Sequence, residues 1–329
     1  MASSWFHRIT GFHEGEYTDT QRRLAVEGDE LVSLVDGSRA GIGALSLPTL
    51  AQLRDGVQPA RGTRSTISTL VGDARALHSD PEFAGATFQV ASQFNVLEMT
   101  GPFVTPEHGV TRYESDPTQG PACAVAAGAA TIYRNYFAPV GDQVGQRSDR
   151  QLDTLAHLGT ELAALLDRPV AQLWTMQNGY ALCTEDGLTA VSELLSGMSE
   201  PDRDRLRSML AVGVHRDVEV TDMRDGHRVT QVFCSALPVS YGVRSPHWEP
   251  LARLVLEACY EATLLAAAER PGAPVLLTRV GGGAFGNDDT WIDDALERAL
   301  AVVSDAGLDI RLVSRGQVHP SFAQLASHR

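Results

Sequence analysis

The stretch Leu276–Val303, LLTRVGGGAFGNDDTWIDDALERALAVV, places an apolar run, a glycine cluster and a helix-like pattern in immediate succession. Glycines between a strand and a helix typically let backbone N–H groups close on a phosphate. The helix start is acidic, however, and an acidic group beside a phosphate is electrostatically unfavourable. The stretch therefore requires a ligand with a phosphate at one end and a group to be deprotonated or hydrogen-bonded at the other.

The same stretch belongs to a β–loop–α–β unit that runs from APVLLTRV to LDIRLVS, the pattern of two parallel strands joined by a right-handed crossover. Upstream, strand-like runs at Ala86–Met99 and His227–Gly242 alternate with helix-like runs at Thr118–Phe137 and Trp248–Arg270. This order predicts an α/β layered fold. We expect a strand-rich N-terminal extension over residues 1–85, packed on a core over residues 86–329. The core carries a helical and hairpin insertion around residues 148–226.

Composition limits the classes of partner. The 329 residues are 43% hydrophobic, and 27 Lys and Arg against 41 Asp and Glu give a net charge of −14. This charge argues against a nucleic acid or an anionic membrane as the main partner. The N-terminal residues lack a basic segment followed by an apolar one, so no secretory signal is expected. No run approaches the roughly 20 apolar residues of a membrane span.

Cysteine and histidine spacing gives no sign of a metal site. The four cysteines, Cys123, Cys183, Cys234 and Cys259, lie far apart and form no CxxC pair. The histidines at positions 215, 227 and 247 also lack the spacing of metal ligands. We therefore expect a reduced, cytoplasmic protein without a disulfide framework, a metal or another cofactor. The oligomeric state is left open.

The glycine loop does not match the common nucleotide-binding motifs. No Lys follows its last glycine, which excludes a Walker A motif, and the acidic residue of a dinucleotide-binding unit is missing about 20 residues onward. A purely structural glycine turn is one alternative. A second loop favours phosphate binding: Thr118, Gln119 and Gly120 precede Pro121, a residue suited to the first turn of a helix. Free N–H groups at that helix start and in the glycine loop would together suit a diphosphate.

Four segments, FQVASQFN, GVTRYESDPTQGPACAVAAGAATIYRNYF, SALPVSYG and GGGAFGN, resemble the bacterial macrodomain group that includes MavL-like ADP-ribosylarginine hydrolases. The resemblance extends from about Ile9 to Ser314, and Thr118–Phe137 is its most specific part. It implies a three-layer α/β/α macrodomain-like fold with a mixed central sheet. It further implies that the protein binds ADP-ribose and cleaves the bond between ADP-ribose and arginine on a modified protein. The glycine-rich first loop of macrodomains is absent, and DPTQGPA stands in its place.

The resemblance places ADP-ribose between the two loops and the end of the strand at Ala86–Met99. Asn95 matches the asparagine that macrodomains place beside the proximal ribose, and Phe285 packs either on the ligand or in the local core. Asp116 either contacts the ligand or shapes the loop as a turn residue, a role that Asp before Pro often has. The residues expected to bind ADP-ribose are Gln93, Asn95, Asp116, Thr118, Gln119, Gly120, Gly282, Gly283, Ala284, Phe285, Gly286 and Asn287.

Cleavage of an N-glycosidic bond develops positive charge at the ribose C1″, which a carboxylate can stabilise while it takes a proton from water. The catalytic candidates are Asp288, Asp289 and Asp293, and the first two lie nearest the loop. Their alternative role is to cap the helix and complement its dipole. Glu98 either points into the same cleft or faces solvent.

Two other functional classes are compatible with the sequence. A reader module would bind ADP-ribose without turnover, because it needs the same loops but no placed carboxylate. A thiol enzyme would use Cys123, since helix N-termini lower thiol pKa values. Cys123 lies among alanines, and a small buried packing residue is the commoner role for such a cysteine.

Overall fold

The computed structural model describes residues 4–57, 62–223 and 226–327. The strands in these ranges are β1 Leu24–Glu27, β2 Glu30–Ser33, β3 Arg39–Gly41, β4 Ala44–Ser46, β5 Thr66–Val71, β6 Thr87–Ala91, β7 Pro139–Val140, β8 Gln143–Val144, β9 Trp174–Gln177, β10 Tyr180–Cys183, β11 Gly213–Glu219, β12 Arg228–Cys234, β13 Val275–Leu277 and β14 Asp309–Ser314. The helices are α1 Trp5–Thr10, α2 Tyr17–Arg22, α3 Leu50–Gly56, α4 Ala74–His78, α5 Gln119–Ala126, α6 Gly128–Tyr136, α7 Ala156–Leu166, α8 Val170–Leu173, α9 Glu185–Gly197, α10 Glu200–Arg207, α11 Glu249–Ala268, α12 Asp289–Val302 and α13 Pro320–Ser327. Short 3₁₀ turns lie at Pro81–Phe83, Pro106–His108, Thr111–Ser115 and Val239–Tyr241. Within these ranges, every helix is too short or too polar to cross a bilayer.

A seven-stranded mixed sheet in the order β4–β11–β12–β6–β13–β14–β5 forms the centre of the molecule. The five strands from β12 to β5 pair in parallel, whereas β11 pairs antiparallel with both β4 and β12. Parallel strands need crossover connections, and these lay helices on the two faces of the sheet. The predicted α/β fold with a mixed central sheet is confirmed.

The side chains of the short strand β13 point alternately to the two faces of the central sheet, and each face is covered by an apolar core. Val275 and Leu277 belong to the apolar core shared with α11 and α12. Leu276 points to the other face, where Phe88 and the α5 residue Cys123 form a second core. All three β13 residues are buried, as expected of a central strand covered by helices on both faces.

The first 85 residues form a separate small sheet and also supply two strands to the central sheet. Strands β1, β2 and β3 form a separate antiparallel sheet, but β4 and β5 are the two edge strands of the central sheet. Strand β11, which falls in the range 148–226, is also part of that sheet. Apolar alternation indicates a strand without specifying the sheet it joins, so a division at residue 85 does not follow the sheet.

Several elements differ from their predicted bounds. Strand β6 ends at Ala91, and residues 92–99 form an irregular loop in which Val96 has φ 63°. The helix predicted over Thr118–Phe137 is two helices that meet at Ala127, which has φ −110° and ψ 57°. Strands β9 and β10 form a hairpin within the range 148–226, where a hairpin is expected, with positive φ at both Asn178 and Gly179.

Candidate functional site

Two cavities lie next to each other at the carboxyl ends of β6 and β13. Cavity A has a volume of about 200 Å³ and is lined by the loop after β6, the start of α5, the glycine loop and Tyr180. Cavity B has a volume of about 330 Å³ and is lined by residues after β5, β13 and β14, together with the start of α5. Ligands of open α/β sheets commonly bind outside the carboxyl ends of the strands, where these two cavities are found.

The start of α5 presents unpaired backbone donors to both cavities. Thr118 is the N-cap residue, and its N–H donates to Asp116 Oδ1 over 2.9 Å. Within the described ranges, no hydrogen bond takes up the N–H groups of Gln119 and Gly120. The Gln119 side chain joins this helix start to β6, since it accepts from the N–H of Ala91 and donates to the carbonyl of Gln89, both over 2.8 Å.

The glycine loop is closed by two of its own hydrogen bonds. The N–H of Asn287 donates to the Gly281 carbonyl over 3.0 Å, and that of Gly286 donates to the Gly283 carbonyl over 3.1 Å. Gly281 and Gly286 have φ values of 83° and 69°, which strongly favour glycine. In the described part of the chain, the N–H groups of Gly283, Ala284 and Phe285 have no hydrogen-bond partner.

Residues of the α5 start and of the segment after β13 line both cavities. Thr118 and Gln119 from the start of α5, and Thr278 and Gly283 from the segment after β13, line cavity A and cavity B alike. The boundary between the cavities is therefore formed by a helix N-terminus and a glycine loop. Two such groups of N–H donors can bind the oxygens of one pyrophosphate.

Eight of the residues predicted to bind ADP-ribose line cavity A. They are Gln93, Asp116, Thr118, Gln119, Gly120, Gly283, Ala284 and Phe285. Asn95, Gly282, Gly286 and Asn287 are absent from the walls of both cavities. Gly286 and Asn287 instead shape the loop, and Asn287 is anchored by a 2.8 Å hydrogen bond from its Nδ2 to the Leu237 carbonyl.

Asn95 is separated from cavity A because β6 ends early. A strand extending to Met99 would place Gln93 and Asn95 on one face, but the chain after Ala91 turns instead. Asn95 is fully buried and donates from Nδ2 to Gln151 Oε1 over 2.8 Å. Its Oδ1 accepts from the N–H of Leu97 over 3.1 Å. These contacts fix the loop over residues 92–99.

The three aspartates predicted to be catalytic lie outside the walls of both cavities. Asp288 is the exposed N-cap of α12, and hydrogen bonds from the hydroxyl and N–H of Thr290 lower its pKa. Asp289 and Asp293 both bind the guanidinium of Arg279, which itself lines cavity A. Asp288 thus has the capping role that the sequence offers as its alternative, whereas Asp289 and Asp293 hold an arginine, a contact that the sequence does not indicate.

A buried ion pair lies at the inner wall of cavity A, and the sequence gives no signal that pairs its members. Glu98 lines this cavity, and its Oε1 accepts from Arg134 of α6 over 2.8 Å. Both side chains have zero exposure. Glu98 Oε2 is buried without a hydrogen-bond partner among the described residues. Burial raises the pKa of Glu98 to about 7, although the positive charge of Arg134 opposes the change.

Three aromatic rings lie together along cavity A. The ring of Tyr180 is 5.4 Å from that of Tyr241 and 5.3 Å from that of Phe285, measured between centroids. Tyr241 and Phe285 meet edge to face at 5.8 Å. Tyr241 is 42% exposed, so the cluster reaches the surface. Aromatic faces of this kind attract cations such as a guanidinium group.

Cavity B combines apolar and polar lining residues. Leu77, Phe88 and Val313 are among the apolar ones. Asp73 also lines it and caps α4 by accepting from the N–H groups of Arg75 and Ala76. Arg315 is a further lining residue and donates to the carbonyl of Pro117 over 2.7 Å. Such a cavity suits a flat, partly polar ring joined to an anionic group.

The structure does not support Cys123 as a nucleophile. Its side chain is fully buried in the core beneath the sheet, and burial raises the pKa of the thiol well above its usual value. A reactive cysteine needs an accessible thiolate, which this environment disfavours. In the described ranges, no cluster of three or more His, Cys, Asp or Glu side chains is arranged to hold a metal ion.

No protein-family model and no curated protein matches this chain. Solved structures of poly(ADP-ribose) glycohydrolases are similar to it. The enzyme from Thermomonospora curvata has a TM-score of 0.46 and 12% identity over 92% of this chain and 94% of that chain. The enzyme from Deinococcus radiodurans in complex with ADP-ribose has a TM-score of 0.43 and 11% identity over 85% of this chain and 93% of that chain. The Thermomonospora curvata enzyme bound to the inhibitor ADP-HPD has a TM-score of 0.38 and 14% identity over 93% of this chain and 94% of that chain.

Proposed function

We propose that the protein binds ADP-ribose across the boundary between cavities A and B. The observation that carries this proposal is the convergence of the α5 start and the glycine loop on one boundary. Their free N–H groups would bind the pyrophosphate without any basic side chain in the walls being required. The adenosine half would then occupy cavity B, between Leu77, Phe88 and Val313, and the proximal ribose would occupy cavity A.

We further propose that the bound ADP-ribosyl group is hydrolysed from an arginine side chain. The guanidinium group of the substrate is a cation, and the exposed end of cavity A offers Tyr241 and Phe285 as aromatic neighbours. Asp116 also lines this cavity and adds negative charge. Of the catalytic candidates, Asp288, Asp289 and Asp293 remain predictions, and the cavity walls favour Asp116 and Glu98 as the acids nearest the ribose.

The function is tested by incubating the protein with substrates that carry ADP-ribose on arginine or on serine, and with poly(ADP-ribose), while released ADP-ribose is measured. We expect release from the arginine-linked substrate. Binding of free ADP-ribose is measured separately by calorimetry. Binding without release from any substrate would identify a reader module, and release from poly(ADP-ribose) alone would replace arginine as the substrate. A protein that does not bind ADP-ribose contradicts the whole proposal.

The aromatic cluster leads to a prediction about the leaving group. Replacing Tyr241 by Leu removes a π face from the exposed end of cavity A, and a cation–π contact is worth about 0.5–2 kcal/mol. We expect kcat/KM for the arginine-linked substrate to fall roughly 2- to 30-fold. The affinity for free ADP-ribose, which has no guanidinium, should change little. Tyr241→Phe should restore most of the activity. Equal losses in turnover and in ADP-ribose affinity would contradict a role specific to the leaving group.

A further inference from the structure

Glu98 is unusual among the acidic residues near the proposed ADP-ribose site, because it is fully buried and yet forms part of a cavity wall. Glu98 Oε1 is paired with Arg134, while Oε2 has no hydrogen-bond partner among the described residues. A buried acceptor without a partner is unfavourable, and more so if it is charged. Such a cost is commonly retained at a site where a ligand or a reacting water supplies the missing donor.

The orientation of Glu98 is fixed from two sides. Gly120 lies over its aliphatic part, since a Cβ built on Gly120 would be 3.3 Å from Glu98 Cγ. Gly120 also belongs to the helix start with free N–H groups, and both residues line cavity A. A ribose joined to a phosphate held at that helix start would therefore enter the cavity whose wall includes Glu98.

Arg134 in turn has little freedom to move. Its Nε donates to the Val96 carbonyl over 3.0 Å, and its Nη2 donates to Thr131 Oγ1 over 3.0 Å as well as to Glu98. The guanidinium also stacks on Phe233, 4.0 Å from the ring centroid. These four contacts, with the loop over residues 92–99, with α6 itself and with β12, make Arg134 a fixed support that pairs with Glu98 Oε1 and leaves Oε2 unpaired.

We propose that Glu98 is the catalytic carboxylate of the ADP-ribosyl hydrolase and that Arg134 is its positioning residue, an inference that rests on the proposed function. The C1″–N bond breaks, its electron pair stays on nitrogen, and the arginine leaves as a neutral guanidine. Water adds its oxygen to C1″ and gives a proton to Glu98 Oε2. That proton then passes to the guanidine, which regains its positive charge, so atoms and charge balance.

The main test compares Glu98→Gln with wild type on the arginine-linked substrate. Glutamine keeps the size of the side chain and cannot accept the proton, so kcat should fall by roughly 100-fold or more. The Kd for free ADP-ribose should stay within about threefold, which corresponds to 0.65 kcal/mol. Glu193→Gln is the matched control, because Glu193 is exposed on α9 and lines neither cavity. It should retain wild-type kcat.

The pH dependence of wild-type kcat gives a second test that needs no variant. Because burial raises the pKa of Glu98 to about 7, the carboxylate form is lost as the pH falls through that value. A general base is active only when ionised, so kcat should rise with pH through about 7 and then level off. The charged or titratable groups packed around Glu98 are Arg134, Tyr113 and Cys123, and His215 lies behind Arg134. Burial disfavours the charged forms of Tyr113, Cys123 and His215, so none of them titrates near pH 7.

Arg134→Lys tests the positioning role. Lysine keeps the charge but cannot make all the contacts of the guanidinium, so kcat should fall while the Kd for ADP-ribose changes less. Wild-type kcat in Glu98→Gln, or a wild-type profile without a rise near pH 7, would overturn the inference and leave ADP-ribose hydrolysis intact. A wild-type protein that binds ADP-ribose but releases none from any substrate would overturn both the role of Glu98 and the proposed hydrolase function. The assay of the wild-type protein detects this outcome before any variant is made.

Discussion

Replacing Arg134 by Met should lower the free energy of unfolding by about 3–5 kcal/mol, the usual effect of removing one member of a buried ion pair. Met matches the length of the arginine stem and can still pack against Phe233, so little of the loss should come from a cavity. The cost arises because Glu98, with zero exposure, loses its cation, and because Thr131 Oγ1 and the Val96 carbonyl each lose a donor at 3.0 Å. Chemical denaturation monitored by tryptophan fluorescence measures the change.

The double variant Arg134→Met with Glu98→Gln separates the charge from the packing. If the uncompensated carboxylate dominates, the double variant should recover about half or more of the stability lost in Arg134→Met, because the isolated buried charge has been removed. Arg39→Met is the control for loss of an arginine, since Arg39 is 42% exposed where it pairs with Glu30. Exposed pairs contribute about 0–1 kcal/mol. A double variant no more stable than Arg134→Met would contradict the role of the buried charge.

The buried pair also shows where inference from sequence ends. Glu98 and Arg134 are 36 residues apart, one in an irregular loop and the other on α6. Sequence spacing identifies each as a polar residue within an apolar segment, but nothing in the pattern indicates that the two meet. Pairing depends on the packing of α5 and α6 against the sheet, and that packing is a tertiary property.

The meeting of the two loops, in contrast, follows from elementary topology. Both the start of α5 and the glycine loop come after apolar runs that form neighbouring parallel strands, β6 and β13. The carboxyl ends of parallel strands lie at one edge of a sheet, so loops that follow them are close in space. Turn glycines and a proline in a first helical turn are local signals as well. For these reasons the α/β fold class and the closeness of the two loops could be predicted.

The aspartates after the glycine loop show what local spacing leaves undetermined. Asp289 and Asp293 are four residues apart and therefore lie on one face of α12, as the sequence indicates. The direction of that face depends on Arg279, which both acids bind. Local spacing gives the relative positions of two side chains on a helix, while the rotation of the helix about its axis is set by its neighbours.

Gly120→Ala should both destabilise the protein and weaken ADP-ribose binding. A Cβ at this position would lie 2.0 Å from the carbonyl oxygen of Ala91, so the start of α5 must move away from the end of β6. Overpacking of this kind costs about 1–3 kcal/mol, and contact with rigid backbone favours the upper part of that range. The movement separates the free N–H groups of α5 from the glycine loop. We expect the Kd for ADP-ribose to rise at least about tenfold, which corresponds to 1.4 kcal/mol.

Two other glycines separate these effects. Gly56→Ala adds the same methyl group at the exposed end of α3, where a Cβ meets no atom within 4 Å, and it should leave stability and binding unchanged. Gly283→Ala also meets no protein atom within 4 Å, but Gly283 lines both cavities. It should therefore keep stability close to that of wild type while it weakens ADP-ribose binding, because its methyl group would occupy space required by the pyrophosphate. Unchanged binding in both Gly120→Ala and Gly283→Ala would mean that the two loops do not hold the pyrophosphate between them.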